Sequence, residues 1–253
     1  MVNTYRFADH TVQIDAIYPL VHRACRDYRE NGCQSEFTIR ITRKDIRAEE
    51  EKNIRMFARE GVTPELHSDP QLEFQAVLRR LAETLLPYDI LLMHGSVVAV
   101  DGEAYLFTAR SGVGKTTHTL LWMNRFRERA VVVNGDKPLL HVGKDRVTVY
   151  GTPWDGKERM SRNMSCPLKA ICILTRSEDN FIEPITKREA FPTLLQQIYR
   201  PDDPMAMAGV LTLADRLGSG VALYRLGCNM EPEAAGVSYG GMNTKTQTTE
   251  EGG

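Results

Sequence analysis

The side chains best suited to chemistry lie at 109–117: Ala109, Arg110, Ser111, Gly112, Val113, Gly114, Lys115, Thr116 and Thr117. They follow the phosphate-binding pattern G-x-x-x-x-G-K-[S/T], with alanine in place of the first glycine. Gly112 and Gly114 let the backbone curl, so that the N–H groups from Ser111 to Thr117 turn inward around an anion. Lys115 supplies a point charge for the outer phosphates, and the Thr116 hydroxyl suits a hard divalent cation. Amides at the start of a following helix add to the attraction.

Two further groups could complete such a site. Asp136 follows the β-branched run at 130–133 and ends the triplet Asn134, Gly135, Asp136. An acid at the end of a buried strand is the second cation-holding element that a phosphate loop needs, so Asp136 is a candidate metal ligand or general base. It also reads as a turn aspartate before Lys137 and Pro138. His94 precedes the loop and has two readings: a strand residue bonded to backbone, or a group beside the phosphates that holds a metal or tunes a base. Residues 151–159, with Trp154, Lys157 and Arg159, form either an ordinary loop with a packed tryptophan or a second anion- or substrate-contacting loop.

The elements that must position these groups are legible as patterns. Residues 91–100 and 103–108 read as strands joined by Asp101-Gly102, a strong two-residue hairpin signal. The strand entering the loop must therefore pair antiparallel with its predecessor, which predicts a mixed sheet. Residues 117–127 predict a helix with an apolar side at Leu120, Leu121 and Met123. Upstream, 5–7 and 11–14 predict a hairpin across Ala8, Asp9 and His10. Residues 16–30 carry a helical stripe, 36–42 alternate as a strand, and 71–86 form an amphipathic helix stopped by Pro87. The charged stretch 44–59 reads as a solvated helix or a mobile segment. Downstream, 139–142 and 147–150 flank a further hairpin. Leu168 to Leu174 reads as a core strand, and Val221 to Leu226 as the last strand. The expected organisation is an N-terminal α/β segment at 1–88, a core at 89–232, and a tail at 233–253 that composition makes partly disordered.

Composition excludes several classes. The chain has 253 residues, 42% hydrophobic and 26% charged, with a net charge of −1. That is an ordinary globular balance, with no basic tract to favour nucleic acid and no apolar run long enough for a membrane span. Five scattered cysteines without a C-x-x-C pair, and a start without signal-peptide character, lead us to expect reduced thiols in the cytoplasm.

With these motifs in place, residues 90–232 resemble the HPr kinase/phosphorylase and phosphoenolpyruvate carboxykinase superfamily, above all the HPr-kinase-like proteins of bacteria. The likeness rests on His94-Gly95-Ser96, on the hairpin into Ser111–Thr116, on Asn134-Gly135-Asp136, on the 151–158 segment and on Cys228-Asn229-Met230. It implies an α/β fold whose core is a mixed-sheet P-loop kinase, with the histidine, the loop and the acidic strand end around one nucleotide-metal site. By that resemblance the chain is a kinase using ATP and Mg2+. Lys115 and the loop amides bind phosphates, Thr116 and Asp136 bind magnesium, Asp136 with His94 acts as base, and Lys157 or Arg159 contacts phosphate or substrate. The implied acceptor is a serine-type hydroxyl on a peptide, a protein or a small metabolite. HPr kinases also allow a homo-oligomer by analogy. Two departures matter: Ala109 stands where the loop often has glycine, a minor change, and, more seriously, HPr kinases carry two adjacent acids at the strand end, where this chain has Gly135 and Asp136. A shift by one place would instead bring Lys137 into the second position. The rival expectations are a nucleotide-binding module that has lost catalysis, which Gly135 favours, and a carboxykinase-like enzyme.

Overall fold

The computed structural model describes residues 1–60, 67–110 and 112–243. Its strands fall into two sheets. The first begins with a hairpin of β1 (Val2–Phe7) and β2 (His10–Asp15), paired from Val2↔Asp15 to Phe7↔His10. Ala8 and Asp9 have φ of 47° and 68°, the double left-handed turn whose twist matches that of the strands. The turn is thus two residues long and His10 lies inside β2, one residue earlier than expected. α1 (Pro19–Ala24), β3 (Arg29–Glu30) and β4 (Phe37–Arg40) follow. The sheet order is β3-β1-β2-β4. The helix expected over 16–30 is cut short at Ala24. Tyr28 does bury, but a 3-10 turn over Arg26–Tyr28 turns the chain back so that Arg29 and Glu30 pair with β1, a tertiary demand that overrides the local stripe.

α2 (Arg43–Glu60) and α3 (Asp69–Leu85) cover this sheet. Ser68 and Gln71 cap α3 reciprocally, which satisfies amides that the first helical turn leaves open. The solvated face expected for 44–59 is interrupted. Ile46 and Glu49 are buried, and Arg79 Nε of α3 donates to both Glu49 oxygens at 2.6 and 2.7 Å. A carboxylate tolerates that burial because the guanidinium faces it.

The second sheet contains β5 (Ile90–Leu92), β6 (Ser96–Val100), β7 (Glu103–Thr108), β8 (Ala130–Asn134), β9 (Leu139–Val142), β10 (Val147–Tyr150), β11 (Ser165–Arg176), β12 (Phe181–Pro184) and β13 (Ala222–Cys228). α4 (Lys115–Phe126) follows the glycine loop, α5 (Lys187–Gln197) and α6 (Pro204–Gly220) precede β13, and α7 (Glu233–Asn243) follows it. β6 and β7 pair antiparallel across Asp101 and Gly102, whose φ values are 52° and 83°. β7 and β13 run parallel to β11, whereas β8 runs antiparallel to β6. The molecule is therefore α/β with mixed sheets. Along β6 and β7, Val97, Ala99, Ala104 and Leu106 enter one core, which α5 and α6 complete. Val98, Val100, Tyr105 and Phe107 enter the other with Trp122, Phe126 and Ala235. Burial on both faces explains the near-continuous apolar runs.

Three expectations change here. Residues 91–100 are two strands. The chain stops pairing with β9 and starts pairing with β7 and β8, and the break at 93–95 is held by backbone bonds to Pro138, Gln197 and Asp136. α4 begins at Lys115, and its buried residues are His118, Thr119, Trp122 and Phe126, while Leu120 is exposed. The polar members of that face are buried with partners: Thr119 and Ser96 share a 2.6 Å hydroxyl bond, and His118 meets Ser238. Where a tail was expected from 233, α7 runs as far as Asn243 and buries Ala234, Ala235, Ser238 and Met242. The remaining tail positions, 244–253, lie outside the described residues.

His118 yields a pH prediction. Its Nε2 accepts the Trp122 indole N–H at 3.1 Å, while Nδ1 is buried without a partner among the described residues. Burial pushes its pKa from 6.5 down to about 4. The unfolded chain takes up the proton below about pH 6.5 and the folded chain only near 4, so this contribution is full above 6.5 and is lost as pH falls through that window. The loss reaches about 3 kcal/mol. Urea unfolding between pH 7 and 4 should show a shallower loss for His118→Gln than for the unmodified protein, and equal slopes would contradict the assignment.

Candidate functional site

Strand direction gathers the candidate residues. β6 is antiparallel to both β7 and β8, so β7 and β8 end where β6 begins. The glycine loop leaves the end of β7, Asp136 follows the end of β8, and His94 precedes the start of β6. Crevices at such strand ends are where ligands of open α/β sheets bind.

In the loop, Gly112 has φ 76° and Gly114 φ 125°, angles that a side chain disfavours. Gly114 is also the N-cap residue of α4, and among the described residues no side chain caps that helix, whose first amides have no partner within the helix. Val113 packs against the core below. Lys115 Nζ donates to the Ala109 carbonyl at 3.3 Å. Burial pushes its ammonium pKa down, the Asp136 charge opposes that shift, and Lys137 adds to it. Thr116 is exposed and Thr117 half-buried. Ser111 lies outside the described residues.

Asp136 is held from its backbone outward. Asn134, fully buried, accepts the N–H groups of Asp136 and Lys137 on Oδ1 at 2.9 and 2.6 Å. The Asp136 carboxylate then meets His94 Nε2 at 3.0 Å and Lys137 Nζ at 2.9 Å. Burial pushes the Asp136 carboxyl up, but the His94 hydrogen bond and the Lys137 charge outweigh it and hold its pKa at about 2. The His94 backbone is anchored as well: its N–H donates to the Gln197 carbonyl and its carbonyl accepts from Thr108 Oγ1.

Gly135 has a spatial reason. A Cβ added there would come within 2.3 Å of Asp155 Oδ1. The Asp155 carboxylate fills that space and accepts the N–H groups of Gly135, Gly156 and Ser161 at 3.0, 2.7 and 2.7 Å. Trp154 points the other way. It is buried, stacks on Phe74 at 4.9 Å, and donates Nε1 to the Phe74 carbonyl at 2.8 Å. The loop at 154–161 is thus pinned on both sides, and its tip carries Lys157, Glu158 and Arg159, all exposed. No hydrogen bond or ion pair joins the Lys157 or Arg159 side chain to Lys115, His94 or Asp136 among the described residues, nor the Thr116 hydroxyl to Asp136. Sequence reasoning missed Asp155 and Arg176. Arg176, at the end of β11, donates Nη2 to the Gly112 carbonyl at 2.6 Å. Turn chemistry around Asp155-Gly156 was the one available signal for the first, and nothing local marked the second.

The crowding at Gly135 predicts a coupled pair. Gly135→Ala should destabilise by about 1–3 kcal/mol. In the Asp155→Ala background the same change should cost less, with a coupling of at least about 0.5 kcal/mol in denaturant unfolding. Strict additivity would show that Asp155 does not occupy this space.

No protein-family model matches the chain, and no curated protein matches it. Among solved structures, the chain is similar to the Hpr(Ser) kinase/phosphatase from Coxiella burnetii, at 13% identity and a TM-score of 0.29, over 50% of this chain and 96% of that one. Such values mark a distant relation at most. Among the described residues, no helix is long and apolar enough to cross a membrane.

Proposed function

We propose that the protein is a kinase that uses ATP and Mg2+ and transfers the γ-phosphoryl group to a serine-type hydroxyl on a peptide, a protein or a small metabolite. The observation that carries this reading is the convergence, at one end of one sheet, of a loop with two left-handed glycines, the start of α4 at Gly114, Lys115, and the Asp136–His94 pair. The loop amides and Lys115 would hold the β and γ phosphates. The Thr116 hydroxyl and the Asp136 carboxylate are hard oxygen donors that fit magnesium, which typically takes few protein ligands and completes its shell with phosphate and water. When bound, the ion supplies neutralisation of phosphate charge. For Asp136 to serve it, the Lys137 ammonium at 2.9 Å must give way. Asp136 with His94 would orient the acceptor hydroxyl and take its proton. Positioning and charge neutralisation are most of what phosphoryl transfer asks of a protein. Lys157 and Arg159, exposed on a pinned loop, are proposed to contact phosphate or the acceptor.

A second reading, a nucleotide-binding module without transfer, draws on two observations. Both Asp136 oxygens are engaged, one by His94 Nε2 and one by the Lys137 ammonium, and the Asp155 carboxylate is taken up by backbone amides. One substitution separates the two. Asp136→Asn should lower phosphoryl transfer from γ-labelled ATP by about 100-fold or more, while nucleotide binding changes by less than about tenfold. Unchanged turnover in the variant would remove Asp136 from the chemistry. Nucleotide binding without transfer in the unmodified protein, across peptide and small-molecule acceptors, would favour the module.

A further inference from the structure

We infer that Arg176 is a positioning residue for the glycine loop, holding it in its anion-binding conformation, and that the ligand it serves is a polyphosphate. This rests on the phosphate-loop reading above and extends it to a residue outside the motif. β7 ends at Thr108, opposite Ile173 of the parallel strand β11. β11 continues for three more residues because β13 backs it, through Leu174↔Leu226, Thr175↔Gly227 and Arg176↔Cys228. Thr175 Oγ1 donates to the Leu226 carbonyl and the Ser177 N–H to that of Cys228, both at 3.1 Å. The backbone of Arg176 is therefore fixed beside the chain leaving β7. It stands three residues past Ile173, the last residue of β11 that pairs with β7.

From there its guanidinium reaches the Gly112 carbonyl at 2.6 Å. Gly112, at φ 76°, is free to adopt many peptide orientations, so its carbonyl is the part of the loop most in need of fixing. In a planar trans peptide the carbonyl and the next N–H point in opposite directions. Drawing the Gly112 oxygen toward Arg176 turns the Val113 N–H away from it. Among the described residues that N–H makes one bond, a long one of 3.4 Å to the Arg110 carbonyl, and a stronger acceptor can replace it. Among the described residues Arg176 has no carboxylate partner within 4.0 Å, and its guanidinium, which carries five N–H donors, makes this one hydrogen bond. Lys115 holds the Ala109 carbonyl and Arg176 the Gly112 carbonyl. Two cations at the two ends of one loop suit an anion with several charges, a pyrophosphate unit or longer.

The test is calorimetric titration of the full chain with inorganic pyrophosphate, for the unmodified protein, Arg176→Ala and Arg176→Lys, beside thermal unfolding of each. Arg176→Ala should bind about tenfold more weakly. Arg176→Lys, which can still donate to the carbonyl, should recover most of that loss. Unfolding midpoints should stay within about 2 °C, as for an exposed side chain. An alanine variant that binds as tightly as the unmodified protein, or a lysine variant no better than alanine, overturns the role of Arg176 and leaves the loop reading intact. Failure of the unmodified protein to bind pyrophosphate overturns both.

Discussion

The side-chain amide of Asn134 is the interaction on which the rest of the site depends. It is fully buried, and both its ends are used. Oδ1 accepts the Asp136 and Lys137 N–H groups, and Nδ2 donates to the carbonyl and the hydroxyl oxygen of Thr152 at 3.1 Å. Thr152 Oγ1 donates in turn to the Lys137 carbonyl at 2.8 Å. A buried amide is costly when its bonds are unmade and neutral to favourable when they are all met. This closed ring turns the chain sharply after β8, aims Asp136 at His94, and brings the 152–156 loop against Gly135. Gly151 fits the same crowding, since a Cβ there would strike the Arg162 and Val133 carbonyls.

From that ring the N-terminal sheet gains its relevance to the site. Trp154, two residues past Thr152, enters the core formed by Phe7, Phe74 and their neighbours. Asn163, beyond the loop tip, donates to the Asp27 carbonyl at 2.8 Å. The segment bearing Lys157 and Arg159 is therefore anchored on the N-terminal elements at two points, α3 and the Arg26–Tyr28 turn, and to the end of β8 by Asp155. Its placement depends on residues far upstream, and the N-terminal sheet acts as the seat of a loop on the second sheet.

What could be read from the sequence divides by the range of the interaction. The Asp101-Gly102 turn and the two loop glycines are decided within a few residues, by the sign of φ, and both were legible. So were the amphipathic helix that ends before Pro87 and the strand that ends in Asn134. The break at 93–95 was not, because it answers to Pro138, Asp136 and Gln197. The buried face of α4 was misread because His118 and Thr119 look polar until Ser238 and Ser96 supply their partners. Gly135 looked like a lost acid, and only Asp155, twenty residues on, explains why no side chain fits there. Arg176 lies sixty-four positions from the carbonyl it holds, and only the parallel register of three strands brings them together.

Everything proposed for the site requires that the loop bind the phosphates of a nucleotide, and the most direct measurement is calorimetric titration of the protein with Mg-ATP beside Lys115→Ala. Binding should be saturable, with one site, and should weaken by at least about a hundredfold in the variant, as expected when a charge-assisted contact to phosphate is lost. Binding that is equal in the two proteins, or absent from both, would contradict it.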